Sequence, residues 1–279
     1  MKLATLRLAD RTVAVRVDAD AAVEITGFAH VGELLKHSDW KAKAEAAVGA
    51  SHKLSDIQPK SWAPVNPEPS KIICVGLNYA NHIKEMGRDL PTYPTLFAKY
   101  PEALIGPFDD IVLPAHAGEN VDWEAELAVV IGKKASRVSE ANANDYIAGY
   151  SIVNDITMRD FQYRTTEWLA GKTFEKTAPF GPYLVTSDSY KLGGELSATV
   201  DGVKMQSTDI SDQVFTPAKL IAYITQILPL NPGDVIVTGT PGGVGHARKP
   251  AVYLADGQTL VTAIEGIGQI ENKIVAEKK

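Results

Sequence analysis

The segment VDWEAELAVVIG, residues 121–132, constrains this chain more than any other. Glu124 and Glu126 stand at i and i+2, and the residues that follow are apolar almost without a break. In a strand, i and i+2 share a face, so the two carboxylates are set side by side. The apolar run pulls that strand into a core, where adjacent negative charges are costly unless a cation neutralises them. The next strand-like run, AGYSIVNDI, ends in Asp155 and adds a third carboxylate after an apolar stretch. Three carboxylates with no Cys or His pair nearby favour a hard, oxygen-liking ion: Mg2+, Mn2+ or Ca2+. The spacing leaves a second reading open, with both Glu on the solvated face of an amphipathic strand, because E-x-E is a common pattern.

Around this segment the chain reads as β-rich. Short apolar runs bounded by Gly, Pro or charge recur at KIICVG, TLFAKY, DDIVLP, EAELAVVIG, AGYSIVNDI, GPYLVTS, LSATVDGVKM, DVIVTG, TLVTAIEG and GQIENKIV, each read as a strand. Helices are expected at NANDYIAG, around FQYRTTEWLAG and at TPAKLIAYITQI, the last capped by Thr216 with Pro217 at its first position. Many strands and few helices predict an α+β, β-rich fold rather than a doubly wound sheet. Before this body, LATLRL and TVAVRV have strand period, and HVGELLKHSDWKAKAEAAVGA reads as one or two helices ending near Gly49. Pro59, Pro64, Pro67 and Pro69 then crowd a linker. We therefore expect a small N-terminal domain over 1–65 and a larger body over 66–279.

With 279 residues, 45% of them hydrophobic, the chain can bury a substantial core. The net charge of -6 and the absence of a basic block give no expectation of a nucleic-acid partner. Cys74 is the single cysteine, so no intrachain disulfide forms. Arg7, Asp10 and Arg11 interrupt any signal-like stretch, and no apolar run reaches the length of a membrane span. The expectation is a cytoplasmic protein with no membrane partner.

Read in order, the chain carries GLNYANH, PTLFAKY, VDWEAELAVVIG, NDITMRDFQ, GKTFEKTAPFGPYLV, NPGDVIVTGTPGGVG and GIGQIEN. This ordered series resembles the fumarylacetoacetate hydrolase superfamily, in its bacterial acylpyruvate hydrolase, decarboxylase and isomerase branch, from about residue 70 onward. The resemblance implies a mixed β-sandwich or rolled-sheet body, a homodimer, and a metal site held by Glu124, Glu126 and Asp155. It also implies a small acidic 2-oxo acid as substrate. Such an acid offers a carboxylate and a keto oxygen to one Mg2+ or Mn2+, which then stabilises charge as an enolate forms.

Other residues gain candidate roles from the same resemblance. His82 and Glu85, at i and i+3, face each other on a helical turn, where a carboxylate orients an imidazole and raises its basicity. The resemblance makes them a water-activating dyad; an ordinary surface helix is the other reading. Lys172 is expected to place positive charge beside a developing oxyanion, or else to be a solvated strand-end Lys. Arg159 and Gln162 share a face with Asp155 if the segment turns helical, and are expected to bind substrate oxygens. Structural ion pairing is the alternative for Arg159. Thr240 lies in the glycine-rich TGTPGGVG and is expected to contact substrate, while the glycines allow backbone N–H groups to approach a carboxylate. Cys74 reads as core, and His116 and His246 have no carboxylate partner at ligand spacing. Glu175 and Gln258 stand where relatives often carry Asp. The leading expectation is hydrolysis of a carbon–carbon bond in an acylpyruvate such as fumarylpyruvate. A decarboxylase or isomerase acting on oxaloacetate or a hydroxydienoate, and a non-catalytic binding protein, are the competing ones.

Overall fold

Residues Ala125–Ile131, AELAVVI, are buried on both faces, and a strand apolar on both faces must lie at the centre of a covered sheet. The computed structural model places it there. It describes every residue except Met86, Arg88 and Lys279; the side chains of His82, Lys84 and Glu85 also lie outside the described residues. The main sheet runs in the order Ser51–Lys53, Ala21–Glu24, Thr12–Val17, Lys2–Arg7, Ala178–Thr186, Ile147–Asn154, Ala125–Ile131, Val235–Val237, Ile72–Gly76, Thr95–Lys99, with the short Leu104–Ile105 strand pairing off this path. Its strands are antiparallel except where Val235–Val237 meets Ile72–Gly76 and where Leu104–Ile105 meets Ala178–Thr186.

A second sheet, in the order Val203–Asp209, Glu195–Val200, Thr259–Ile264, Gly268–Ala276, Ile111–Leu113, covers one face of the first. Alternation along the central strand sorts its side chains between two cores. Leu127, Val129 and Ile131 pack with Leu196, Leu260, Ile264, Ile270 and Ile274. Ala128 and Val130 pack on the other face with Cys74, Val153, Phe180, Val237 and the N-terminal Leu34 and Leu35. This is the mixed, two-sheet body that the sequence resemblance implies. The first four strands extend its main sheet, Lys2–Arg7 pairing with Ala178–Thr186.

Some elements differ from expectation. LSATVDGVKM is a hairpin of two strands: Asp201 and Gly202 both have positive φ, at 48° and 77°, the conformation of a two-residue turn that matches strand twist. NANDYIAG is shared between a 3-10 segment, Glu140–Tyr146, and the strand that begins at Ile147. The helix around FQYRTTEWLAG is two short helices, Arg159–Gln162 and Leu169–Lys172, with an exposed stretch between them. Pro217–Ile227 forms as expected, with the Thr216 hydroxyl accepting from the Lys219 N–H. Among the described residues, no helix is long and apolar enough to cross a membrane.

Candidate metal centre

The face of the main sheet that buries Val130 and Ala128 continues, by strict alternation, to Glu126 and Glu124. The neighbouring strand pairs Val153 with Glu126, so Asp155, two residues on, falls on the same face. Regular pairing stops here: Glu124 precedes its strand and Asp155 follows its own. Three buried carboxylates thus meet where the apolar sheet ends, with one oxygen of each within 4.8 Å of the others. Oxygens sharing one Mg2+ or Ca2+ lie at most ~4–5 Å apart, about twice the metal–oxygen distance. The separation and the all-oxygen donor set fit a single hard dication.

The charges around the triad support the same fit. Lys172 Nζ lies 2.7 Å from Glu124 Oε2 and 2.9 Å from Asp155 Oδ2. Lys99, whose ammonium is fully buried, lies 2.8 Å from Asp155 Oδ1 and also donates to the Lys172 carbonyl. Arg159 Nη2 reaches Glu124 Oε1 at 2.8 Å and Asp122 Oδ2 at 2.7 Å. Among the described residues, and counting Asp122, four buried carboxylates face three buried cations.

The imbalance falls on Glu126. Burial first, then Asp155 and Glu124, push its carboxyl well above the usual range, against Lys172 and the Gly239 N–H. Asp155 goes the other way: burial would raise it, but Lys172 and Lys99 outweigh burial and hold it below its ordinary value. Burial acts against the charge of Lys172, yet Asp155 and Glu124 keep its ammonium strongly protonated. One negative charge is left over, which a proton on Glu126 offsets in the metal-free protein and a dication at the triad would offset in its place.

Asp122 is a residue that sequence reasoning passed over. Its Oδ1 accepts from the Gly245 N–H at 2.7 Å and its Oδ2 from the His246 N–H at 3.0 Å and Arg159 Nε at 2.8 Å. Two N–H groups of the glycine-rich loop thus go to the protein's own carboxylates, Gly245 to Asp122 and Gly239 to Glu126. Both glycines are required. Gly239 has φ 97°, and a Cβ on Gly245 would stand 1.9 Å from the Val252 carbonyl oxygen. The alternating D-x-E-x-E pattern, all on one face, was the signal for Asp122.

A cavity of about 270 Å³ opens beside the triad and is lined by Glu124, Arg159, Gln162, Lys172 and Thr240. All five sequence candidates on this side are thus brought together. Arg159 makes the structural ion pairs that were the alternative for it, with Asp122 and Glu124, and lines the cavity as well, its Nη1 donating to Gln162 Oε1 at 2.9 Å. The Thr240 hydroxyl donates to the Ala125 carbonyl and accepts from Gln206, which limits it to its remaining lone pair. Cys74 is a buried thiol, as expected, and burial raises it well above its ordinary value. His82 and Glu85 lie on the helix Ala80–Glu85, just after cavity-lining Leu77, and their side chains lie outside the described residues.

Comparison with known proteins gives the arrangement a context. Residues 71–275 match the family described as Fumarylacetoacetate (FAA) hydrolase C-terminal. The chain is 44% identical over 216 residues to the mitochondrial oxaloacetate tautomerase Fahd2a of Rattus norvegicus, covering 76% of this chain and 68% of that protein. It superposes on the fumarylacetoacetate hydrolase of psychrophilic Exiguobacterium antarcticum with a TM-score of 0.87 at 32% identity, covering 99% of this chain and 100% of the other. The maleylpyruvate hydrolase of Sphingobium sp. SYK-6, solved with manganese(II) and pyruvate, aligns with a TM-score of 0.81 at 26% identity over 100% of both chains.

Proposed function

The chain belongs to the fumarylacetoacetate hydrolase family, and from that premise we propose that it is a divalent-metal-dependent enzyme that enolises a small 2-oxo acid, with oxaloacetate as its leading substrate. The observation that carries this reading is the buried triad of Glu124, Glu126 and Asp155 opening onto a small cavity that also holds Lys172, Arg159 and Gln162. A Mg2+ or Mn2+ ion held by the three carboxylates would supply Lewis-acid stabilisation of the charge that develops on a keto oxygen. Lys172, at the carboxylate edge of the cavity, adds a fixed positive charge to the same oxygen. Arg159 and Gln162, locked to each other, orient the substrate carboxylate through their remaining N–H groups, and Thr240 lines the same cavity. Similarity to oxaloacetate tautomerases at 44% identity favours keto–enol interconversion over bond cleavage.

Hydrolytic cleavage of an acylpyruvate is the second reading. It is favoured by the likeness to a maleylpyruvate hydrolase and by His82 and Glu85 on the helix beside the cavity. We assign that pair to proton movement, from carbon in the first reading and from water in the second. We further read the protein as a cytoplasmic homodimer; the single buried Cys74 suits a reducing compartment. The deciding experiment follows enol–keto equilibration of oxaloacetate and pyruvate release from acylpyruvates, with Mn2+ and with EDTA. EDTA-sensitive equilibration without loss of carbon supports tautomerisation. Pyruvate release from an acylpyruvate with no effect on oxaloacetate supports hydrolysis, and no turnover of any 2-oxo acid removes both.

A further inference from the structure

The cavity beside the triad has two unlike sides. Its charged side is the one described above. A second part of the lining, Val75, Gly76, Leu77, Phe97 and Trp168, carries no charged side chain among the described residues; Tyr163, Val244, His246 and Ala247 complete the lining. Trp168 comes from the stretch between the two short helices, yet its indole is tightly held. A Cβ on Gly76 would stand 2.3 Å from indole Cζ3, so the ring lies directly on the backbone at the end of the Ile72–Gly76 strand. Phe97 meets the indole edge-on, with centroids 5.5 Å apart and planes at 72°. The Lys172 ammonium stands 5.3 Å from the centroid of the same Phe97 ring. The Trp168 carbonyl accepts from the Gly171 N–H at 2.9 Å, so indole and Lys172 ride on one helical turn. The aromatic side is therefore fixed relative to the reacting end.

We propose that Trp168 is the wall that limits substrate length, restricting the site to short, unbranched 2-oxo acids of about four or five carbons and excluding aryl or long acyl groups beyond the keto carbon. The proposal rests on the metal-dependent 2-oxo acid reading above and adds the size class to it. A volume of about 270 Å³ lies below the ~300–1,000 Å³ typical of pockets for drug-sized ligands. The charged residues fix the reactive end of the acid, and the indole, held on the same turn as Lys172, bounds the space next to that end. The half-buried ring has Gly76 behind it and Phe97 at its edge. Differential fit of this kind changes kcat/KM ratios between substrates rather than abolishing the chemistry.

The test compares wild type, Trp168→Ala and Trp168→Phe. Each is assayed with Mn2+ on oxaloacetate, acetylpyruvate and benzoylpyruvate, and each is titrated calorimetrically with oxalate and phenylpyruvate. The expected result is a rise of at least about tenfold in the preference for the long over the short acid in Trp168→Ala, in both turnover and binding, with a smaller rise in Trp168→Phe. If Trp168→Ala fails to fold, the direction of change in Trp168→Phe decides. Equal preference in the folded variants and wild type overturns the wall. Failure of wild type to turn over any 2-oxo acid overturns instead the reading on which it rests, and the oxalate-to-phenylpyruvate binding ratio still judges the wall.

Discussion

The Asp155 N–H donates to the Glu124 carbonyl oxygen at 2.8 Å. That backbone bond ties together two strand ends whose side chains repel each other. The carboxylates cannot relax apart by separation of the strands, so the repulsion is met by buried cations and by the raised proton affinity of Glu126. A binding centre built this way exists before its ligand arrives, which limits the reorganisation needed on binding.

Asp122 is the keystone of the loop. In Asp122→Asn, the acceptor of the Gly245 and His246 N–H groups loses its negative charge, and Arg159 keeps only Glu124 as a charged partner. Breaking a buried charge pair from one side costs ~3–5 kcal/mol. We expect the free energy of unfolding in urea to fall by up to that amount, together with a loss of kcat/KM greater than the loss of Mn2+ affinity. Urea titration and steady-state kinetics check both.

Lys99 is expected to show the opposite coupling. In Lys99→Met, one cation leaves the carboxylate cluster while Asp155 remains buried. The metal-free protein should lose ~3–5 kcal/mol. A dication then relieves more repulsion than in wild type, so saturating Mn2+ should raise the melting temperature of the variant by a larger step. Differential scanning calorimetry with and without Mn2+ measures the two steps.

Neither Asp122 nor Lys99 was singled out from sequence, and the reasons are physical. The triad was legible because strand alternation converts E-x-E into adjacent carboxylates and because the ordered motifs carry a family resemblance. Lys99 shows only as one charged residue closing the apolar run TLFA, a position equally suited to a strand end reaching solvent. Its partner Asp155 lies 56 positions away, and only the sheet order brings them together. Asp122 carried a signal that pairing Glu124 with Glu126 concealed. The fold was legible strand by strand, since burial writes apolar runs. The hairpin at Asp201–Gly202 was missed because apolar residues continue across a two-residue turn, although V-D-G-V is itself a turn pattern.

His30 provides a pH test of the N-terminal region. It caps the helix Val31–Leu35, its Nδ1 accepting from the Glu33 N–H at 3.2 Å. Burial lowers its affinity for a proton, more than the carboxylates of Glu68 and Glu33 raise it, and Lys36 lowers it further. The unfolded imidazole, near 6.5, therefore takes up a proton first. Stability is complete above about that pH and falls as pH drops from it toward the depressed folded value, by at most ~1.4 kcal/mol per pH unit. His30→Asn keeps a capping acceptor and removes the titration. Urea midpoints at about pH 7.5 and pH 5.5 should diverge less in the variant than in wild type.

The central claim is that Glu124, Glu126 and Asp155 together hold one dication. Titration of metal-stripped protein with Mn2+, read by electron paramagnetic resonance of the free ion, tests it most directly. The account expects one tight site per chain, weakened at least about a hundredfold in Glu126→Gln and in Asp155→Asn while both variants stay folded. Mn2+ binding of wild-type tightness in folded Glu126→Gln or Asp155→Asn, or no tight site in the wild type, would contradict it.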